Sequence, residues 1–410
     1  MRSMHEATPI VPHSGSKVAE ATPHDVAGRW ADVRSAVLLA AVSRVALFAV
    51  AWLGLRAIPR LGAYPEQLPD SFLPGNPALD GWARWDAAHY VAVARFGYGD
   101  PISPSPDGGV GFFPVYPGLM RGLVELLRVE PTSGALAVAG IAVSNVCFLV
   151  AVGLFALLAG ELLGRRAAQA AVLLLVVSPF GLFFDAAYTE SLFLLQIVGA
   201  LLLARRGRWW LAGSVAGTAS GTRLVGVALT AALLAGALWS RARARDVAAV
   251  AALGVSGLVG FLAYCRWRLD DPLAYLHTQE RWGGWNEHVW FYVELFATRP
   301  REALGGDPRH LVIAANVALA LVFVALLPVV RRVSDVPTTT LTVLLVVGQL
   351  AITWVSLGRY VTPAVGVYLA GGALLASARC PAWLRDGVVV ASAVALAALT
   401  LLYTHGFWVI

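Results

Sequence analysis

The chain has 410 residues, of which 58% are hydrophobic and only 14% charged, against about 25% charged in a soluble domain. So few charges cannot cover a soluble surface, which excludes a soluble multidomain protein, a disordered chain and a coiled coil. The net charge of +6 is not by itself a nucleic-acid footprint. Cys147, Cys265 and Cys380 lie far apart in or beside apolar runs, and suggest neither a disulfide framework nor a zinc site.

Residues 1–33 are polar and read as a disordered cytoplasmic tail; residues 34–410 read as a single transmembrane domain. A first apolar run at 35–57 is long enough to span and is read as a helix that stays, not a cleaved signal. The polar segment 58–112 follows, rich in Pro, Gly, Asp and Trp. Residues 113–128 are apolar but short, with Arg121, Glu125 and Arg128 at helical spacing. That pattern predicts an amphipathic helix lying in the interface. Ten further runs lie near 135–160, 167–185, 187–204, 209–221, 223–239, 246–265, 310–330, 338–357, 360–378 and 387–405, about 11 transmembrane helices in all. The stretch 209–239 is split at Gly221-Thr222-Arg223, and Gly213, Gly217 and Gly221 form a small-residue ridge for helix packing. No internal repeat is visible.

Lysine and arginine placement sets the orientation. With the N-terminus in the cytoplasm, the short inner loops hold Arg165-Arg166, Arg205-Arg206-Arg208, Arg241-Arg243-Arg245, Arg331-Arg332, and Arg379 with Arg385. The remaining polar residues then gather on the outer face. They fall in loop 58–134, the turn at Asp185–Glu190, the Thr222-Arg223 turn, loop 266–309 and Ser356–Tyr360. Charges at the ends of apolar helices are costly, so a gathered set invites a functional reading.

Five segments carry that set. In Arg84-Trp85-Asp86-Ala87-Ala88-His89-Tyr90, Asp86 is spaced to share a helix face with His89 and Tyr90. It reads as a general base, or as a helix-end charge or surface partner of Arg84. Phe112-Phe113-Pro114-Val115-Tyr116-Pro117 is a rigid entry to the interfacial helix, or an aromatic belt. Asp185, Tyr188, Thr189 and Glu190 sit where two spans meet, as helix caps or as a polar site. Arg223 and Arg359, the latter followed by Tyr360, stand at outer span ends, as snorkelling cations or as forks for a phosphate. Gln279 and Trp282, with Trp285 and Trp290, suit a sugar ring or a helix on the bilayer. Gly254-Val255-Ser256-Gly257, with His405 near a later helix end, matches a short intramembrane-protease serine motif; small-residue helix packing accounts for it better.

Five motifs follow one another in order: Trp85-Asp86-Ala87-x-His89-Tyr90 with Gly97-Tyr98; Phe112-Phe113-Pro114-x-Tyr116-Pro117; Ala187-Tyr188-Thr189-Glu190-Ser191-Leu192-Phe193; Asp271-Pro272-Leu273-Ala274-Tyr275; and Gly358-Arg359-Tyr360-x-x-Pro363. Over residues 80–370 the chain resembles the PIG-V family, the second mannosyltransferase of glycosylphosphatidylinositol assembly, and its bacterial relatives. The resemblance implies an all-α polytopic membrane protein of the C-type glycosyltransferase fold. It implies an inverting transfer of mannose from a polyprenyl-phosphate-mannose donor on the extracytoplasmic face of the plasma membrane, with Asp86 as the catalytic base. Placement assigns Arg223, Arg359 and His89 to the donor phosphate. Arg84, Trp85, Tyr90, Tyr116, Asp185, Tyr188, Glu190, Gln279, Trp282 and Tyr360 are assigned to substrate. No cofactor, metal, nucleic acid or protein partner is expected. An Ala/Val/Arg-rich usage with the one lysine Lys17 looks like a high-GC bacterium, which leaves the acceptor open: a lipoglycan, a phosphoinositol mannoside, a wall polymer or a protein hydroxyl. The alternative is a transporter or flippase of a lipid-linked sugar, which predicts polar residues at mid-membrane and repeated broken helices.

Overall fold

Every apolar run holds helix, and few of those helices are long. The computed structural model describes residues 23–58, 71–99, 109–281, 287–305, 308–352, 356–407 and 409; among them there are helices and no strand. In chain order the helices are α1 (Pro23–Ala57), α2 (Pro77–Asp80), α3 (Ala87–Phe96), α4 (Val115–Leu126), α5 (Ser133–Leu163), α6 (Arg165–Val176), a 3-10 turn (Gly181–Phe184), and α7 (Glu190–Arg205). They continue as α8 (Trp209–Ser220), α9 (Gly226–Trp239), α10 (Ala244–Gly254), α11 (Ser256–Leu269), α12 (Ala274–Arg281), α13 (Glu287–Thr298) and α14 (Pro300–Gly305). The last are α15 (Pro308–Val333), α16 (Val336–Ile352), α17 (Leu357–Val361), α18 (Val365–Leu375) and α19 (Ala382–Thr404).

Five stretches are long and apolar enough to cross a bilayer: Asp32–Ala57, Ser133–Leu163, Ala244–Leu269, Val312–Val333 and Ala382–Thr404. Gly226–Trp239, Val336–Ile352 and Val365–Leu375 are apolar but shorter. The protein is therefore a multi-pass membrane protein, with many of the eleven runs shorter as helices than as apolar sequence. The run 167–185 shows why. Its helix stops at Val176, and Ser178-Pro179 turns the chain into the 3-10 turn, because proline disfavours helix in the residue before it and cannot donate its own N–H. Run 246–265 is likewise interrupted at Val255, between α10 and α11. The expected break in 209–239 falls at Gly221-Thr222-Arg223, between Ser220 and Gly226. Part of the expected N-terminal tail, from Pro23 on, is helical, and residues 1–22 lie outside the described residues.

The glycine ridge is a contact surface. Gly213 lies against Val250, Gly217 against Leu253 and Ser256, and Gly221 against Gly257, so α8 packs backbone to backbone on α10 and α11. Close approach of this kind is how helices associate where no hydrophobic drive exists. Gly257 faces the carbonyl of Gly217 and Gly254 faces Thr230, so the Gly-Val-Ser-Gly segment is occupied by packing. His405 sits against Gly54 of α1, and its Nδ1 lies 2.6 Å from the Leu401 carbonyl.

The two ends of the bundle differ. At one end Arg205 bridges Glu161 (3.1 Å) and Asp335 (2.7 Å), and Arg206 also reaches Glu161 (3.2 Å). Arg165 and Asp32 pair there at 2.9 Å. A cavity of about 960 Å³ at this end is lined by Arg165, Arg166, Arg205 and Arg332 among others. Three of the arginine-bearing loops thus converge. Exposed Trp210, Trp239 and Trp383 stand beside arginines at helix ends on this side, as belt tryptophans do. Helix α7, about 24 Å long at 1.5 Å per residue, carries Arg205 at this end and Glu190 at the other.

At the Glu190 end a buried ion pair fixes the turn between α6 and α7. Arg44, inside α1, reaches Asp185 at 2.9 Å, with both side chains at most 5% exposed. The same nitrogen, Nη1, also donates to the Gly181 carbonyl, and Nη2 donates to the Val176 carbonyl, both at 3.1 Å. Arg44 thus closes the helix end of α6 and holds the turn that leads to Tyr188 and Glu190.

Two outcomes follow for stability in detergent. Arg44→Leu leaves the Asp185 carboxylate alone in the core, a loss of about 3–5 kcal/mol, while the Arg44→Leu/Asp185→Leu pair recovers most of it; thermal unfolding of both variants checks this. Gly257→Val lowers the melting temperature because its side chain enters the Gly217 backbone, whereas Gly260→Val, with open space around it, leaves it unchanged.

Candidate active site

The loop before α3 is built to present one carboxylate. Asp80 accepts from the backbone N–H groups of Phe72 (2.8 Å) and Leu73 (3.0 Å) and pairs with Arg84 at 2.9 Å. The Arg84 carbonyl accepts from the hydroxyls of Tyr188 (3.0 Å) and Tyr403 (3.3 Å). Trp85 then takes a left-handed conformation, φ 54°, which is unusual for a bulky side chain and persists only where surrounding structure enforces it. Asp86 follows at the start of α3. Its backbone N–H donates to the Tyr188 hydroxyl at 3.2 Å, and its side chain makes no capping hydrogen bond. Asp86 thus stands at the helix end without capping it, Arg84 pairs with Asp80 and not with Asp86, and the carboxylate is turned elsewhere.

It is turned to Arg359. Arg359 Nη1 donates to Asp86 Oδ2 at 2.5 Å. Arg359 Nε donates to Glu190, and Arg223 Nη1 donates to the same Glu190 oxygen, Oε1. Arg223 also donates to the Thr189 hydroxyl at 3.1 Å, which lies 3.4 Å from the Tyr90 hydroxyl. Two carboxylates and two guanidiniums thus form one formally neutral cluster. Glu190 lies at the bottom, 1% exposed, whereas the Asp86 side chain is 30% exposed. The arginines do not snorkel to a surface: Arg359 is 2% and Arg223 9% exposed. Both lie over aromatic faces, Arg359 at 4.4 Å from Tyr188 and Arg223 at 4.9 Å from Tyr360, contacts that suit a desolvated guanidinium.

The backbone around Arg359 is equally constrained. Ser356 is left-handed, φ 59°, and starts α17. Asn316 of α15 accepts from the Gly358 N–H, the Thr362 hydroxyl donates to the Gly358 carbonyl at 2.5 Å, and the Tyr368 hydroxyl donates to the Thr362 carbonyl at 2.9 Å. A Cβ at residue 358 would enter Asn316 and Phe180, so glycine before the arginine is a packing requirement.

The other sequence-assigned residues divide into those at the cluster and those beneath it. Tyr90 is at the cluster; burial pushes its phenol up and keeps it neutral. Tyr188 and Tyr360 pack on the arginines. His89 stacks on Phe112 at 4.4 Å. Trp85 and Arg84 form the loop described above. Tyr116 is fully buried, with its hydroxyl 2.8 Å from both the Gly140 carbonyl and Ser144. Asp185 is spent on Arg44. Gln279 is half-buried on α12, and Trp282 and Trp285 lie outside the described residues, as does the Trp290 side chain. The aromatic-belt reading of Phe112-Phe113 fails: both are buried, Phe113 against Phe261 and Tyr275 at 4.9 and 5.1 Å. Tyr98 seals this corner by donating to the Phe112 carbonyl at 2.6 Å. Sequence reasoning missed Arg44 and Asn316. Arg44 had a signal, a lone charge within an apolar run; Asn316 had only a weaker one of the same kind.

A partly exposed carboxylate in a cluster with two buried cations has the parts for removing a proton from a hydroxyl while stabilising a leaving anion.

The mouse protein named GPI alpha-1,6-mannosyltransferase 2 is 34% identical over 176 residues, 41% of this chain and 33% of its own length. The human protein of the same name is 32% identical over the same shares. GPI mannosyltransferase 2 of Yarrowia lipolytica is 37% identical over 92 residues, 22% of this chain and 26% of its own length. The matched regions thus span about a third or less of these relatives. Among solved structures, ArnT from Cupriavidus metallidurans bound to undecaprenyl phosphate superposes with a TM-score of 0.49 at 16% identity, covering 91% of this chain and 76% of that one. The family described as Mannosyltransferase (PIG-V) matches residues 38–255, more than half of the chain and with it Asp86, Glu190 and Arg223, and the chain belongs to that family.

Proposed function

We propose that this protein is an integral-membrane mannosyltransferase that moves mannose from a polyprenyl-phosphate-mannose donor to a lipid-linked or glycan hydroxyl, with inversion, on the extracytoplasmic face of the plasma membrane. The observation that carries the reading is the Asp86–Arg359–Glu190–Arg223 cluster: one accessible carboxylate beside two buried, preorganised guanidiniums. Family membership supports the sugar and the reaction class. The arginine-rich loops at the far end of α7 support the facing, since such loops stay in the cytoplasm.

The step balances with these groups. The acceptor oxygen attacks the anomeric carbon from the side opposite the phosphate. The new C–O bond forms as the sugar–phosphate C–O bond breaks. The hydroxyl proton passes to Asp86, and the bonding pair leaves on the phosphate, which gains one negative charge. An inverting hydrolase needs a second carboxyl to protonate a sugar-oxygen leaving group. A phosphate leaves without that proton if its charge is held, and Arg223 and Arg359 supply the holding charge. Fixed donors in a desolvated pocket stabilise such developing charge better than water does. Glu190 is neither base nor substrate ligand in this scheme: it aligns the two arginines from below.

Asp86→Asn is expected to fold and to lose transfer by about a hundredfold to ten-thousandfold, the usual contribution of a general base. The assay is transfer from radiolabelled polyprenyl-phosphate-mannose to extracted lipids with identification of the product, and full activity of the variant refutes the base assignment. Glu190→Gln removes the charge that holds two buried cations. It is expected to cost about 3 kcal/mol of stability and to raise KM for the donor, read by thermal unfolding and by donor titration.

A further inference from the structure

The proposed base and the proposed phosphate site share a cation. Arg359 gives Nε to Glu190 and Nη1 to Asp86. Around it stand the rings of Tyr188, Tyr360 and Phe183, at 4.4, 5.5 and 5.6 Å. Glu190 is buried behind it, and of the four charged side chains Asp86 is the one with appreciable exposure, 30%. A ligand approaching Arg359 from solvent therefore meets Asp86 first. The contact it must break is single-point, Nη1 to Oδ2, whereas a phosphate offers a guanidinium fork two or more oxygens.

Resting on the mannosyltransferase reading above, we propose that Asp86 is a displaceable occupant of the donor-phosphate site: its carboxylate holds the place on Arg359 that the lipid-linked phosphate takes, and that exchange frees the carboxylate to receive the acceptor proton only when the donor is bound. The resting cluster is neutral, with two carboxylates against two guanidiniums, so the empty site does not confine uncompensated charge in a desolvated pocket, where such charge is costly. When the phosphate arrives, Arg359 changes anion and Asp86 turns towards the hydroxyl. As the transfer proceeds, Asp86 takes a proton and gives up its claim on Arg359 at the moment the phosphate gains a charge. After the proton leaves, ionised Asp86 competes for Arg359 again and helps to expel the polyprenyl phosphate. Glu190, which keeps Arg359 and Arg223 aligned in both states, is a positioning residue of this exchange.

The test is equilibrium binding of undecaprenyl phosphate, a probe with no sugar to transfer, to the full-length protein in nanodiscs. Removing a competing carboxylate makes Asp86→Asn bind the probe more tightly than wild type, by about tenfold if the coupling has the usual size for linked sites. Asp86→Ala moves the affinity in the same direction. In an Arg359→Lys background the gain from Asp86→Asn shrinks, because the shared fork is gone. Equal or weaker binding by both Asp86 variants overturns the exchange. The two readings fail separately. An Asp86→Asn protein that has lost transfer but gained no affinity removes the exchange and leaves the base standing. One that keeps full transfer removes the base, whatever its affinity.

Discussion

A single buried carboxylate, Glu190, organises its end of this protein. An ionised Glu190, out of reach of water in the core, needs cations, and it takes two, Arg223 from the α8–α9 turn and Arg359 from α17. Leaving one such charge unpartnered in a protein interior costs several kcal/mol. The approach of α7, the α8–α9 turn and α17 is therefore enforced electrostatically and not only by shape. Arg359 then reaches Asp86, which stands at the start of α3. Four segments far apart in the chain are drawn to one point.

That convergence needs irregular backbone at the ends of apolar helices, and irregular backbone leaves polar groups to satisfy. Side chains do this one by one. Arg44 caps the carbonyls of Val176 and Gly181. Asn145 donates to the Asp185 carbonyl at 3.2 Å, Ser144 to that of Tyr188 at 3.0 Å, and Ser191 to that of Phe184 at 2.7 Å. Asn316 accepts from Gly358. These polar residues of the apolar runs thus serve as partners of the backbone. They allow helices to stop short and leave space where a polar site can form.

This explains what could be read from the residues alone. Each apolar run marked by hydropathy holds helix, because burial in lipid demands long apolar segments, whereas α2, α3 and α12–α14 lie outside those runs; the Gly213-Gly217-Gly221 spacing announced the α8 contact. Asp86, Glu190, Arg223 and Arg359 were legible as expensive charges at helix ends. Their pairing was not: nothing in local spacing tells Glu190 that its partners lie 33 and 169 residues away. The same limit misdirected Tyr116 and Asp185 towards substrate, since a polar side chain that supports a site has the same local pattern as one that lines it. The helix ends within 167–185 and 246–265 escaped for a simpler reason. An apolar run stays apolar through a turn, provided side chains from elsewhere satisfy the turn.

The long reach of the Asp86–Arg359 pair, 273 residues, also has a meaning for biogenesis. While the chain is being threaded into the membrane, Asp86, Glu190 and Arg223 arrive well before Arg359, and Tyr403, which secures the Arg84 carbonyl, arrives later still. A nascent chain paused after α9 holds an excess of negative charge where the finished site is balanced. The constellation is thus complete only once the late helices that carry Arg359 and Tyr403 are in place.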